Sequence, residues 1–208
     1  MNTVNLTDVT PPVKRPSGRH HGNLRQALEE AALELVAERG PHGFTLAEAS
    51  RRAGVSVAAP YKHFADRDAL LAALAERGYR EQRARFTSAM ARAGDPVERL
   101  AAFAAAYVRF AVEDRALFDI TFSAGLDKAA HPGMAAAGEE LLAALLPVAG
   151  GVTPGRDAAY DLLLRVASAA HGIALFLRQG LFGVSGDTVE ATAERAARTA
   201  REIADAAS

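Results

Sequence analysis

The chain has 208 residues, half of them hydrophobic, a formal net charge of −1 and no cysteine, which excludes disulfides, thiolate zinc sites and thiol catalysis together. Residues 14–85 carry 13 Lys and Arg against 9 Asp and Glu, and residues 86–208 carry 11 against 15. The front half therefore suits a polyanion and the back half does not, unless the clustering is chance. The first 21 residues lack the apolar stretch of an export signal, and no apolar run is read as reaching the ~18–20 residues of a membrane span, so a cytoplasmic chain with no membrane partner is expected.

Residues 1–19, rich in Pro, Thr and Asn, read as a disordered basic arm. A first helix is predicted from Asn23, as N-cap with Gln26 three residues on, through Leu28, Ala31, Ala32, Leu35 and Val36 to Gly40. Thr45-Leu46-Ala47-Glu48 is a second capping box. It opens a short helix whose inner face is Leu46, Ala49 and Ala53. Gly54 turns the chain, Val55 pins the turn, and Ser56 is placed to cap a second short helix anchored by Tyr61 and Phe64. Two short helices around a glycine turn are the helix-turn-helix pattern. Beyond it, Asp95-Pro96-Val97-Glu98 caps a helix with proline at its first position. Asp114 and the stretch after Pro132 start two shorter helices, Thr153-Pro154 opens a long one to Gly180, and Asp187-Thr188-Val189-Glu190 opens the last. About nine helices and no sheet make the fold class all-α. The expected division is an arm (1–19), a helix-turn-helix DNA-binding domain (20–67) and a helical body (68–208).

From Gly22 to about Leu74 the sequence resembles the DNA-binding domain of the tetracycline-repressor (TetR) family. The matching pieces are Phe44-Thr45 after a glycine, Ala53-Gly54-Val55-Ser56, Tyr61-Lys62-His63-Phe64 and Asp66-Arg67-Asp68-Ala69-Leu70-Leu71. The resemblance implies that Thr45 and Tyr61 bond phosphates while Lys62, His63 and Arg67 line the DNA backbone. Such contacts set register and affinity without reading sequence. It also implies that Ser56, Val57, Ala58 and Ala59 start the recognition helix and face base edges. Arg51 and Arg52 either touch phosphate or solvate an outer face. The chain departs from the commoner pattern at Val57-Ala58-Ala59-Pro60, where polar and small residues usually mix. Proline is tolerable in a first turn, but Val and Ala read bases mainly through thymine methyls, so direct readout is thin. Lys14, Arg15 and Arg19 of the arm either enter a minor groove or belong to an unstructured tail.

In the body, Phe103, Tyr107 and Phe110 share one helix face, and Phe118 and Phe122 lie four residues apart. Leu164, Ser168, His171 and Leu175 run along the long helix. Each stripe either packs a core or lines an apolar cavity in which Tyr107, Ser168 and His171 are the polar handles. The resemblance favours a cavity for a small-molecule effector. Ala170-His171-Gly172 further resembles a TetR subgroup whose body carries Trp-His-Gly, although this chain has no tryptophan. On the last helix Val189, Ala193, Ala196, Ala200 and Ile203 form a heptad seam of mostly small residues. That seam either packs on the preceding helix within one chain or, as the resemblance implies, joins that helix in a four-helix interface between two subunits. A homodimer would then present two heads to a palindromic double-stranded operator.

No Glu-x-x-His, GxGxxG, P-loop or HExxH occurs, so neither an enzyme nor a bound metal or cofactor is expected. The expected function is a sequence-specific transcriptional regulator, a repressor released by a small, largely apolar ligand. The rival is a helical small-molecule carrier, which explains the body and leaves Thr45–Leu74 without a purpose.

Overall fold

The computed structural model describes residues 22–181 and 188–207; the basic arm and Asp187 lie outside the described residues. Eight α-helices follow in order: α1 Gly22–Arg39, α2 Leu46–Arg52, α3 Arg67–Ala91, α4 Pro96–Glu113, α5 Arg115–Ser123, α6 Pro132–Gly150, α7 Arg156–Gln179 and α8 Val189–Asp205. No strand occurs among the described residues, so the fold is all-α. The ninth expected helix is a single 3-10 turn at Pro60–Lys62.

Side-chain caps set most of the helix starts. Thr45 and Glu48 close the full reciprocal box on α2, Asp66 accepts from the Ala69 amide at 2.7 Å, and Thr188 accepts from the Ala191 amide at 3.1 Å. Each such cap stabilises its helix by about 1 kcal/mol. Asp95 accepts from the Glu98 amide at 2.9 Å, but the Glu98 carboxylate is drawn away to Arg201 at 2.7 and 3.0 Å. Three expected boundaries shift. Asn23 lies inside α1 rather than at its cap, α7 starts behind Gly155 rather than at Thr153-Pro154, and α6 runs 19 residues rather than being short.

The head is α1, α2 and the 3-10 turn, closed by the first turns of α3. Leu28, Leu35, Val36, Phe44, Leu46, Ala49, Phe64, Leu70 and Leu74 are all buried in its core. Full burial of Phe44 and of Phe64 contributes about 1.5–3 kcal/mol each. Gly54, at φ +71°, makes the turn after α2, a left-handed backbone that a side chain would strain. The expected division at residues 67 and 68 falls at the first turn of α3, which continues for 25 residues into the body.

In the body α4 is central, flanked by α3, α7 and α8. The α4–α8 contact is the most extensive in the molecule, because alanines on both helices let the backbones come close. Arg109–Glu190 (2.6 Å) and Arg201–Glu98 (2.7 Å) pin its two ends and fix an antiparallel register. Contrary to the reading from sequence, α6 and α7 are each long and apolar enough to cross a membrane by length and composition alone. Their inner residues pack on α3 and α4, whereas Leu142, Tyr160, Leu164 and Phe176 stand exposed on the outside.

Candidate DNA-binding surface and ligand cavity

Pro60 shapes the tip of the head. It has no amide hydrogen to give the Ser56 carbonyl four residues back, and that carbonyl takes the Ala59 amide at 3.0 Å instead. The next bonds converge on the Pro60 carbonyl, from His63 at 2.8 Å and Phe64 at 2.9 Å. The expected recognition helix starting at Ser56 is therefore a turn, and Ser56 is exposed without capping it. Pro60 and Phe64 are buried beneath, so Tyr61, Lys62 and His63 project outward, Tyr61 at 61% exposure. Val57 and Ala58 beside them are also exposed, and Ala59 is half-buried.

The surrounding charges divide into tied and untied groups. The Arg67 guanidinium is held by Asp68 at 2.9 Å, and Arg52 donates to both Glu38 oxygens at 2.5 and 2.8 Å. Arg51 is exposed and makes no ion pair among the described residues. Of the two readings for these arginines, α2 thus supplies an outer-face brace in Arg52 and leaves Arg51 uncommitted. The Thr45 hydroxyl donates to Glu48 at 3.0 Å and accepts the Glu48 amide, so its donor is already engaged by the cap. Hydrogen bonds from the Thr45 amide and hydroxyl, and then from Arg39, hold the Glu48 carboxyl below the usual range.

The body holds an open cavity of about 230 Å³. Tyr79, Gln82 and Phe86 of α3 line it, with Phe103 and Tyr107 of α4 and Phe122 of α5. Leu141, Leu142 and Leu145 of α6 and Tyr160, Leu163 and Leu164 of α7 complete the wall. Exposure of Phe122, Leu142, Tyr160 and Leu164 marks its mouth. Phe86 stacks on Tyr107 at 5.8 Å and meets Phe103 edge-on at 5.2 Å. The Tyr107 hydroxyl shares a 2.8 Å hydrogen bond with His171 Nδ1, and burial pushes the phenol pKa well up. Burial and then the nearby Arg178 hold His171 below the ordinary histidine value, keeping it neutral near pH 7. Arg178 lies over the Phe118 ring at 5.1 Å and donates to both Asp119 oxygens at 2.7 and 2.9 Å.

The first region of the chain, residues 28–74, matches the model for bacterial regulatory proteins of the tetR family, and residues 100–200 match the tetracyclin repressor-like C-terminal domain. A solved protein of unknown function from Rhodococcus sp. RHA1 is 32% identical, with 90% of this chain and 98% of that one covered at a TM-score of 0.73. A tetR-family regulatory protein from Rhodococcus RHA1 (17% identity, 86% and 96% covered, TM-score 0.68) shares the fold. So does a TetR family transcription regulator from Marinobacter aquaeolei VT8 (20% identity, 88% and 95% covered, TM-score 0.65). No curated protein matches the chain. The chain belongs to the TetR family. It is a DNA-binding transcriptional regulator, with the helix-turn-helix head in the first matched region and α4–α8 in the second.

Within this TetR body the residues singled out from sequence separate into two groups. Phe103, Tyr107 and Phe122 line the cavity. Phe110 is buried against Phe86 and beneath Arg85, Phe118 is stacked under His171, and Leu175 is half-buried against the core, all outside the lining. Ser168 is exposed on α7, and His171 stands behind the wall, bonded to Tyr107 and packed on Phe122 at 5.0 Å. Sequence reasoning missed the α3 and α6 walls, because Tyr79, Gln82 and Phe86 sit in a charged helix and the α6 leucines carry no aromatic or polar signal. The α8 seam lies inside the protomer. Ala193, Ala196 and Ala200 are 0–2% exposed within one protomer, buried by α4, and Val189 and Ile203 flank them half-buried. A seam of small residues fits any close partner helix, and α4 of the same chain supplies one.

Proposed function

We propose that the protein is a homodimeric repressor whose two heads hold a palindromic operator and release it when a small, largely apolar molecule occupies the body cavity. The observation that carries this reading is one helix, α3, that begins beside the exposed Tyr61-Lys62-His63 turn and lines the cavity with Tyr79, Gln82 and Phe86. A second link joins the same parts: His42 Nε2 bonds the Ser123 carbonyl at 2.9 Å, next to Phe122 in the cavity wall. A ligand favouring a head spacing that misfits DNA would lower operator affinity by linkage. Tyr61, Lys62 and His63 are the proposed phosphate contacts, with Arg67 and Thr45 available once their present partners yield. Ser56, Val57, Ala58 and Ala59 are the proposed groove-facing residues.

The dimer is proposed to form through the outward stripe of α7, where Tyr160, Leu164, Ser168 and Phe176 are exposed and Gly172 allows close approach. The protein would act in the cytoplasm, where its DNA lies, and would catalyse no reaction. The test is binding to its own upstream DNA across salt concentrations. A sequence-selective complex with a steep negative slope supports the reading. No binding even at low salt would overturn it and favour the carrier.

A further inference from the structure

The cavity is lined almost entirely by carbon. No Asp, Glu, Lys, Arg or His lines it among the described residues, and Arg178, the buried cation of the body, lies behind Phe118 with Asp119 as its partner. An ion held at its inner end, away from the mouth, would lose part of its hydration with nothing of opposite charge to replace it. The phenols of Tyr79 and Tyr107 offer no counter-charge either, since burial raises both pKa values, and both hydroxyls are already bonded inside the protein.

Two polar side chains in the wall have free capacity among the described residues: Tyr160, 49% exposed at the mouth, and Gln82 at the inner end. Gln82 is 1% exposed and its side-chain amide donates to Thr121 Oγ1 at 3.3 Å. The Thr121 hydroxyl itself donates to a main-chain carbonyl, Phe118 at 2.9 Å or Leu117 at 3.2 Å, so its oxygen must accept and Gln82 must present nitrogen to it. That fixes the orientation of the amide and leaves Gln82 Oε1 as an acceptor with no partner among the described residues. An unbonded acceptor on a cavity wall favours a ligand that brings a donor to it.

Resting on the effector reading above, we infer that the cavity takes an uncharged aromatic molecule bearing one hydroxyl or N–H donor, which bonds Gln82 Oε1 while its rings pack among Phe86, Phe103, Tyr107 and Phe122. A volume of about 230 Å³ exceeds the ~150 Å³ site that holds benzene, leaving room for two fused rings.

A matched probe set tests this: naphthalene, naphthalen-2-ylmethanol, 2-naphthoate and naphthalen-2-ylmethylammonium, titrated at pH 7 into the full chain. The chain has no tryptophan, so probe fluorescence is read without that background. The alcohol is expected to bind roughly 2–10-fold tighter than naphthalene, the worth of one neutral hydrogen bond, and both ions at least ~30-fold more weakly than the alcohol. In Gln82→Leu the alcohol should lose its advantage while naphthalene still binds, which shows that the variant is folded. Equal or tighter binding of either ion, an alcohol advantage that survives Gln82→Leu, or no binding by any of the four would each overturn the inference. Operator affinity measured on the same samples separates the two readings. The predicted order of binding without DNA release refutes the effector role alone, and release driven by naphthoate refutes the ligand class alone.

Discussion

Replacing Ala200 with leucine decides whether the α8 seam belongs to one protomer or to two. The Arg201–Glu98 and Arg109–Glu190 pairs set a register that brings Ala200 to the first turns of α4, where Leu100 and Ala101 are, like Ala200, 1% exposed. Leucine adds three carbons at a buried position, and the helix backbones are held close by alanine on both sides. Overpacking of this kind costs about 1–3 kcal/mol, and the closeness of α4 puts Ala200→Leu at ~2–3 kcal/mol. For a chain of this size that lowers the midpoint of thermal unfolding by about 4–12 °C. Far-UV circular dichroism at two protein concentrations tenfold apart reads the midpoint, and sedimentation velocity reads the association state. The expected result is a lower midpoint at both concentrations with the association state unchanged. A normal midpoint in a variant that has become monomeric would refute the packing argument and return the seam to the subunit interface.

At the head, Lys62→Ala is expected to weaken operator binding and to shallow the log–log salt slope by about one per subunit. Unchanged affinity and slope would remove Lys62 from the phosphate contacts. In the body, His171 resists protonation when folded, so its contribution to stability is complete above the ordinary histidine pKa and declines as pH falls through it. Urea midpoints measured at pH 7.5 and 5.5 should therefore differ less in His171→Gln than in the parent, and equal differences would show that His171 does not drive the slope. Arg178→Met strips Asp119 of its bidentate partner in a site where the two side chains are 11% and 21% exposed. Arg115, 3.7 Å away, compensates in part, so the expected loss is about 3 kcal/mol. Adding Asp119→Leu should recover most of it, and a double variant no more stable than the single would contradict the buried-charge account.

What could be read from the sequence was whatever is decided within a few residues. The Thr45–Glu48 box, the Asp95 cap and the Gly54 turn are local chemistry, and each sits where the residue types place it. The Val-Ala-Ala-Pro segment forms a turn rather than the expected helix, because one missing amide hydrogen at Pro60 matters more in a helix of a single turn than in a long one. The cavity was half legible. Phe103 and Tyr107 announce themselves as an aromatic stripe, whereas Gln82 becomes an anchor only because α5 brings Thr121 to it from 39 residues away. The alanine seam was legible as a seam, but nothing local says which helix it meets.

The remaining question is how a cavity of this size could be felt at the DNA. Arg67 and Phe86 are 19 positions apart on one unbroken helix, a span of about 28 Å. A tilt of ~5° about the cavity end would move the DNA-proximal end by roughly 2.5 Å, comparable to a hydrogen-bond length, over which phosphate contacts fail. Helix α5 constrains that tilt. It packs on α3 and α1, carries Phe122 in the cavity wall and holds His42 of the head through the Ser123 carbonyl. Gly78 sharpens the coupling, because a Cβ there would come within 2.9 Å of Thr121 Cγ2, so α3 and α5 already touch with no slack between them. A ligand that parts Phe122 from Gln82 must therefore move α5, α3 or both, and each of those helices is attached to the head.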